Sequence, residues 1–183
     1  MSREDRRRWD LRHRTSGTAA PNRTLASLLP RLPRSGRALD VACGAGANAE
    51  LLVRRGFRVA AVDVSGEALR RARRRVDGGA LVPIQMDLDA PAVRDGATWD
   101  LVVCISFLDR ALLDRLAGWV APGGLLFGFP ECLPASPVTF WLGRCLQAGG
   151  TAPVHQHISQ LAGELTPERP ALLDGLRYLL HSG

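Results

Sequence analysis

Four features of this sequence have the residue types and spacing to do chemistry together. Gly44-Ala45-Gly46-Ala47-Asn48-Ala49 fits the pattern GxGxx(G/A). Glycines so spaced allow a tight turn and let a ligand come close to backbone N–H groups. Asp63 follows about 20 residues after Gly44, where a carboxylate can accept both hydrogen bonds of a ribose diol. Asp40 stands before the first glycine, inside the end of an apolar run. An ionised group there needs donors, so it either orients the loop amides or faces a cationic ligand group. Asp87 adds a carboxylate after a later apolar run, where an adenine would lie. Each feature has a plainer reading beside this one. Glycines end strands for structural reasons, and Asp63 could cap a helix or close a turn. The set of four points to a ribose-bearing cofactor.

Other reactive side chains are less organised. Cys43, Cys104, Cys132 and Cys145 form no CxxC pair, and no neighbouring histidine completes a zinc pattern. They read as reduced thiols, mostly buried, and no metal site is expected. His155 and His157 flank Gln156; they could touch a substrate across a site mouth or be exposed loop residues. Asp109 and Arg110 follow an apolar run and could face a substrate, but an aspartate there also suits the start of a helix.

Alternating elements must position these groups. RALDVA (37–42) reads as a buried strand, then the glycine turn, then a helix near 47–55 that Gly56 ends. FRVAAVD (57–63) is a second strand, and Ser65 caps a helix over 66–76. ALVPIQM (80–86) is a third, on which Pro83 favours an edge. DLVVCI (100–105) is a fourth, followed by a helix over 109–120, the turn APGG (121–124) and a fifth strand, LLFGF (125–129). Such βα alternation implies an α/β domain with a parallel sheet covered on both faces, which binds ligands beyond the carboxyl ends of its strands. Ahead of it, residues 3–14 read as a charged helix carrying Trp9, and 22–32 as a second helix. The expected division is a helical cap over 1–36 and the sheet domain over 37–183.

Composition narrows the class. The chain has 183 residues, 46% hydrophobic and 23% charged, which suits one globular domain and excludes collagen-like and mostly disordered proteins. No apolar run approaches the ~20 residues of a membrane span. The start, MSREDRRRWD, is too charged for a secretory signal, so a cytoplasmic protein is expected. The net charge is +6, and all 24 basic residues are arginine. Without lysine no Walker lysine exists, which disfavours a P-loop ATPase. Arginines crowd the N-terminus and could bind nucleic acid. Arg70, Arg71, Arg73, Arg74 and Arg75 instead read as the solvated side of a helix that buries Ala68, Leu69, Ala72 and Val76.

LDVACGAGANAELLVRRGFRVAAVDVS, then QMDLDAP, then WDLVVCISFLDRALLDRLAGWVAPGGLLF resembles the class I S-adenosylmethionine-dependent methyltransferases over residues 37–131. It is most similar to the small bacterial branch with the tellurite-resistance enzymes, which shares a Trp-Asp-x-Arg pattern, here Trp9-Asp10-Leu11-Arg12. The resemblance implies a Rossmann-like, doubly wound, mostly parallel sheet and S-adenosylmethionine as cofactor, with S-adenosylhomocysteine as product. It implies that Asp40, Ala42, Gly44 and Gly46 line the methionine side of the cofactor, with Ala42 in place of the family's first glycine, and that Cys43 and Asn48 are also cofactor-binding. Asp63 would hold the ribose, Val64 and Leu88 would flank the adenine, and Asp87 would meet its amine. Cys104 and Ile105 would lie below the sulfonium, and Trp9 and Arg12 would close over the site, Arg12 towards the carboxylate.

The implied reaction is methyl transfer to a small-molecule acceptor. Ile105-Ser106-Phe107-Leu108 stands where nucleic-acid amino-methyltransferases carry Asn/Asp-Pro-Pro-aromatic, so a nucleic-acid acceptor is disfavoured though an RNA methyltransferase stays open. Asp109, His155 and His157 are weak catalytic candidates. A non-catalytic cofactor-binding module and an NAD-dependent oxidoreductase are the other readings. SPVTFWLGRCLQAGG reads as a helix ended by Gly149-Gly150, and Leu176–Leu180 as a sixth strand. The family's antiparallel seventh strand is then expected to be missing, leaving the fifth strand as an open edge or one covered by a partner chain. Monomer and homodimer both fit.

Overall fold

The structure is a computed structural model that describes residues 3–93, 96–105, 112, 115, 116, 118–129 and 141–144. Its centre is a six-stranded sheet in the order β3-β2-β1-β4-β5-β6. The strands are β1 (Gly36–Val41), β2 (Phe57–Asp63), β3 (Leu81–Gln85), β4 (Trp99–Ile105), β5 (Val120–Phe129) and β6 (Trp141–Arg144). β1 to β5 run parallel, and β6 is antiparallel to β5. The order reverses between β1 and β4, which opens a crevice at the strand ends that carry Asp40 and Asp63.

The helices are α1 (Arg3–Thr15), α2 (Arg23–Leu28), α3 (Ala47–Arg55) and α4 (Gly66–Arg75). Their ends follow local chemistry. Gly56 closes α3 in the left-handed region, at φ 111°, and donates its N–H to the carbonyls of Leu52 and Val53. Ser65 caps α4 by accepting from the Ala68 amide. α4 buries Ala68, Leu69 and Ala72 as the sequence pattern requires.

Two apolar layers sandwich the sheet. Leu25, Leu32, Leu52, Phe57, Leu69 and Phe127 lie in one; Leu39, Val62, Leu88, Val102, Leu112 and Leu116 lie in the other. Leu25 and Leu32 precede the first strand yet share the first layer, so the second half of the N-terminal segment is packed into the sheet's own core. Pro83 falls on β3, the edge strand, where a missing N–H costs no ladder bond.

Two expectations need correction. Residues 141–144, read as part of a helix, form β6, with Leu125 opposite Arg144 and Gly128 opposite Trp141. This antiparallel strand covers the β5 edge that was expected to lie open. The turn at Pro122-Gly123-Gly124 does not precede the fifth strand but interrupts it. Trp99 pairs with Val120 while Leu101 pairs with Leu125, so the turn bulges out between them. Gly124 is required there, because a Cβ would stand 2.9 Å from the Ala121 carbonyl and 3.0 Å from that of Asp100. The expected sixth strand at 176–180 and most of the 109–120 helix lie outside the described residues.

Candidate cofactor site

β1 delivers Asp40 into the interior and then turns sharply. Ala42 adopts φ 54°, the left-handed conformation that glycine takes more readily, at the position where the resembling family has its first glycine. Gly44 (φ 52°) and Gly46 (φ 78°) continue the turn into α3. Gly46 is also a packing requirement, since a Cβ on it would stand 2.6 Å from the Ala72 Cβ. The glycine loop is thus shaped by α4 as well as by its own strand.

Asp40 is the most perturbed carboxyl described. It is 1% exposed, and its Oδ2 has no hydrogen-bond partner among the described residues. Burial pushes its pKa up to about 7, the negative charge of Asp63 adds to that, and the Ala49 amide opposes it. A buried carboxylate oxygen without a donor suits a ligand that brings a cation or a donor. Asp63, by contrast, has a hydrogen-bond donor at each oxygen. Its Oδ2 accepts from the Gly44 amide at 2.8 Å, and its Oδ1 accepts from the Ser65 amide at 2.8 Å. It ties the glycine loop to the start of α4 and keeps further lone pairs for a diol.

Cys104, at the end of β4, and Cys43 are both buried. Burial, followed by the charge of Asp40, raises the Cys104 pKa to about 12, and burial raises Cys43 well above its ordinary value. Neither is a nucleophile at neutral pH. Ile105 is buried beside Cys104, and Val64 and Leu88 are buried near the ends of β2 and β3. Asp87 is partly exposed, and its Oδ1 accepts from the Asp89 amide at 3.0 Å. Asn48, at the start of α3, also joins two segments. Its Oδ1 accepts from the Asn22 amide at 2.8 Å, which ties the segment before α2 to α3.

α1 lies against this loop, and His13 is the residue that reaches it. Trp9 stacks on His13 with centroids 6.2 Å apart, and the Arg12 guanidinium lies 5.1 Å from the Trp9 centroid, on an exposed residue. The residue next to Gly44 is His13, whose Cε1 lies 3.4 Å from where a Gly44 Cβ would be. Burial lowers the His13 pKa, so it is neutral at pH 7. Asp10 reaches the start of α4. Sequence reasoning named Asp10 only within the Trp-Asp-x-Arg pattern and did not single out His13. The signal that could have found them is that Trp9, Asp10 and His13 share one helical face. Arg71 and Arg75, read as solvated, instead clamp the chain after α1. Arg71 donates to the carbonyls of His13 and Gly17, and Arg75 donates to that of Ala19. Asp109, His155 and His157 lie outside the described residues.

A parallel sheet reversing between β1 and β4, a glycine turn after β1 and a carboxylate closing β2 define a class I methyltransferase-type Rossmann-like domain. Comparison with known proteins agrees. Residues 38–124 match the family model described as a methyltransferase domain. The ubiquinone biosynthesis O-methyltransferase of Xylella fastidiosa is 36% identical over 108 residues, covering 53% of this chain and 43% of that protein. The chain thus spans less than half the length of the curated relatives it matches. Among solved structures, the SAM-bound amino pentose methyltransferase from Micromonospora echinaspora aligns with a TM-score of 0.51 at 28% identity, over 68% of this chain and 55% of that one. A SAM-dependent methyltransferase from Geobacter sulfurreducens, in complex with S-adenosyl-L-homocysteine, shares the fold with a TM-score of 0.55 at 18% identity, over 70% of this chain and 59% of that one. No helix among the described residues is long and apolar enough to cross a membrane.

Proposed function

We propose that this protein binds S-adenosylmethionine and transfers its methyl group to a small-molecule acceptor. One observation carries the reading: a fully buried carboxyl, Asp40, with an unpartnered oxygen at the foot of a glycine loop. A ligand with an ammonium and a sulfonium meets that unsatisfied oxygen, whereas a dinucleotide pyrophosphate would be repelled by it. When bound, the cofactor supplies an electrophilic methyl group on positively charged sulfur.

The chain's own residues then hold, align and exclude water. Asp40 offers a negative charge in a low-dielectric pocket. Asp63 offers its remaining lone pairs to the ribose hydroxyls while fixing Gly44 and Ser65. Val64 and Leu88 flank the base, and Asp87 meets its amine. Protonated Cys104 and Ile105 give an unreactive floor. Alignment of acceptor with methyl can lower the barrier by up to about 7–11 kcal/mol without a general base. A small acceptor is in keeping with the relatives, an O-methyltransferase of ubiquinone biosynthesis and an amino pentose methyltransferase. A cytoplasmic location belongs to the same reading and fits the unoxidised thiol of Cys43.

The test is incubation of the protein with methyl-labelled S-adenosylmethionine and separate pools of bacterial small metabolites and RNA. Label is expected in the small-molecule pool. Label confined to RNA would overturn the acceptor class.

A further inference from the structure

Asp10 stands outside the sheet, yet it ends a hydrogen-bonded chain that begins at the glycine loop. The Gly44 amide donates to Asp63 Oδ2, and Asp63 Oδ1 accepts from the Ser65 amide. The Ser65 hydroxyl donates to Asp10 Oδ1 at 2.6 Å and accepts from the Ala68 amide at 3.1 Å. The same Asp10 oxygen accepts from the Glu67 amide at 3.1 Å. Asp10 is therefore a second cap on α4, supplied from another helix, with its charge at the favourable end of the helix dipole. Burial acts to raise its pKa, but the hydrogen bonds from Ser65 and Glu67 outweigh it and hold the carboxyl below its usual range. One turn further along α1, His13 rests on Gly44.

Little else holds α1 down. None of its residues from Glu4 to Thr15 is fully buried, and Leu11 is 61% exposed. Among the described residues its other fasteners include the Arg14–Glu67 ion pair at 3.9 Å, on a largely exposed arginine, and the Arg71 and Arg75 bonds to the carbonyls that end and follow it. A segment tied by polar bonds and little apolar burial opens at low free energy.

We propose that Asp10 is a positioning residue that latches α1 as a removable cover on the cofactor site. The latch fixes Ser65, and through it the ribose carboxylate Asp63, and cofactor release requires it to open. The inference rests on the function proposed above and deepens it. Nothing about it requires Asp10 to touch the ligand.

The probe is S-adenosylhomocysteine, with release from the full chain followed by stopped-flow displacement. Asp10→Ala removes the acceptor; Asp10→Asn keeps an oxygen able to accept from both Ser65 and Glu67. Release is expected to be about tenfold faster or more in Asp10→Ala, which loses both hydrogen bonds, and within about threefold of wild type in Asp10→Asn, which keeps an acceptor for them. Trypsin supplies a ligand-free readout, because α1 is rich in arginine: α1 of Asp10→Ala should be cut faster than that of wild type. Wild-type protein that binds no S-adenosylhomocysteine sinks the proposed function. Wild-type binding with an unchanged release rate in Asp10→Ala overturns the latch alone. Equal cutting of α1 in both proteins without ligand overturns the latch whatever the ligand result.

Discussion

Asp40→Asn is expected to make the ligand-free protein more stable and a worse binder at the same time. The Asp40 pKa is about 7 in the folded protein against 3.8 for an ordinary aspartate. A raised folded pKa means stability that is fully present below pH ~4 and lost as pH rises through ~7. At pH 8 the ionised, buried carboxylate costs up to roughly 4 kcal/mol on this basis. The asparagine carries no charge, so that penalty vanishes, offset by about 1–3 kcal/mol if its amide finds no acceptor. Urea unfolding at pH 5 and pH 8 reads both effects. Wild type should be distinctly less stable at pH 8, and the variant should show little of that slope. Cofactor affinity should fall about tenfold to a hundredfold in the variant, the worth of a hydrogen bond to a charged group. A wild-type stability that is flat between pH 5 and pH 8 would remove the basis for assigning Asp40 to the ligand's positive group. The same titration implies that a cation entering the site drives a proton off Asp40, so binding near pH 6.5 should release protons.

Gly46→Ala should be the most damaging small substitution in the glycine loop. Two costs add. The residue sits at φ 78°, where a Cβ costs about 1–2 kcal/mol. That Cβ would also lie 2.6 Å from the Ala72 Cβ and 2.8 Å from the Ala72 Cα, so α3 and α4 must part. Overpacking of this kind costs about 1–3 kcal/mol. The expected loss is therefore about 2–5 kcal/mol in denaturant unfolding, with cofactor binding lost even where the fold survives. A double-mutant cycle separates the terms. Ala72→Gly in the Gly46→Ala background should recover part of the packing cost, although the Ala72 backbone still crowds the new methyl. Gly44→Ala is the useful contrast, because its Cβ would meet only the edge of the His13 ring at 3.4 Å. It should lose the backbone term but little packing. Equal stability losses at the two glycines would contradict the account.

The core of the fold was legible because its signals are local. β2 runs from Phe57 to Asp63 as its apolar pattern required, and Ser65 and Gly56 mark helix ends with bonds that their side chain and backbone freedom dictate. Asp40, Asp63 and the two glycines came together because a strand followed by a glycine turn can place them nowhere else. What failed was non-local or ambiguous. Short apolar runs do not separate helix from strand by periodicity, and Phe140-Trp141-Leu142 is such a run. β6 was decided by the unpaired edge of β5, which no local pattern reveals. The α1 contacts failed for a different reason. Asp10 entered only as part of the Trp-Asp-x-Arg pattern, with no role of its own. Its role depends on α4 lying beside it, more than fifty residues away in sequence. Arg71 and Arg75 were misjudged likewise: facing away from the sheet is not the same as facing water once another segment packs there.

The central claim is that the pocket around Asp40 and Asp63 takes an S-adenosyl ligand. Isothermal titration of the full chain with S-adenosylhomocysteine and with NAD, repeated on Asp63→Ala, tests it most directly. The sulfur compound should bind and NAD should not. Asp63→Ala should weaken that binding by about tenfold or more, with its far-ultraviolet circular dichroism unchanged. Binding of NAD in preference to S-adenosylhomocysteine, or undiminished S-adenosylhomocysteine binding by a folded Asp63→Ala protein, would contradict the claim.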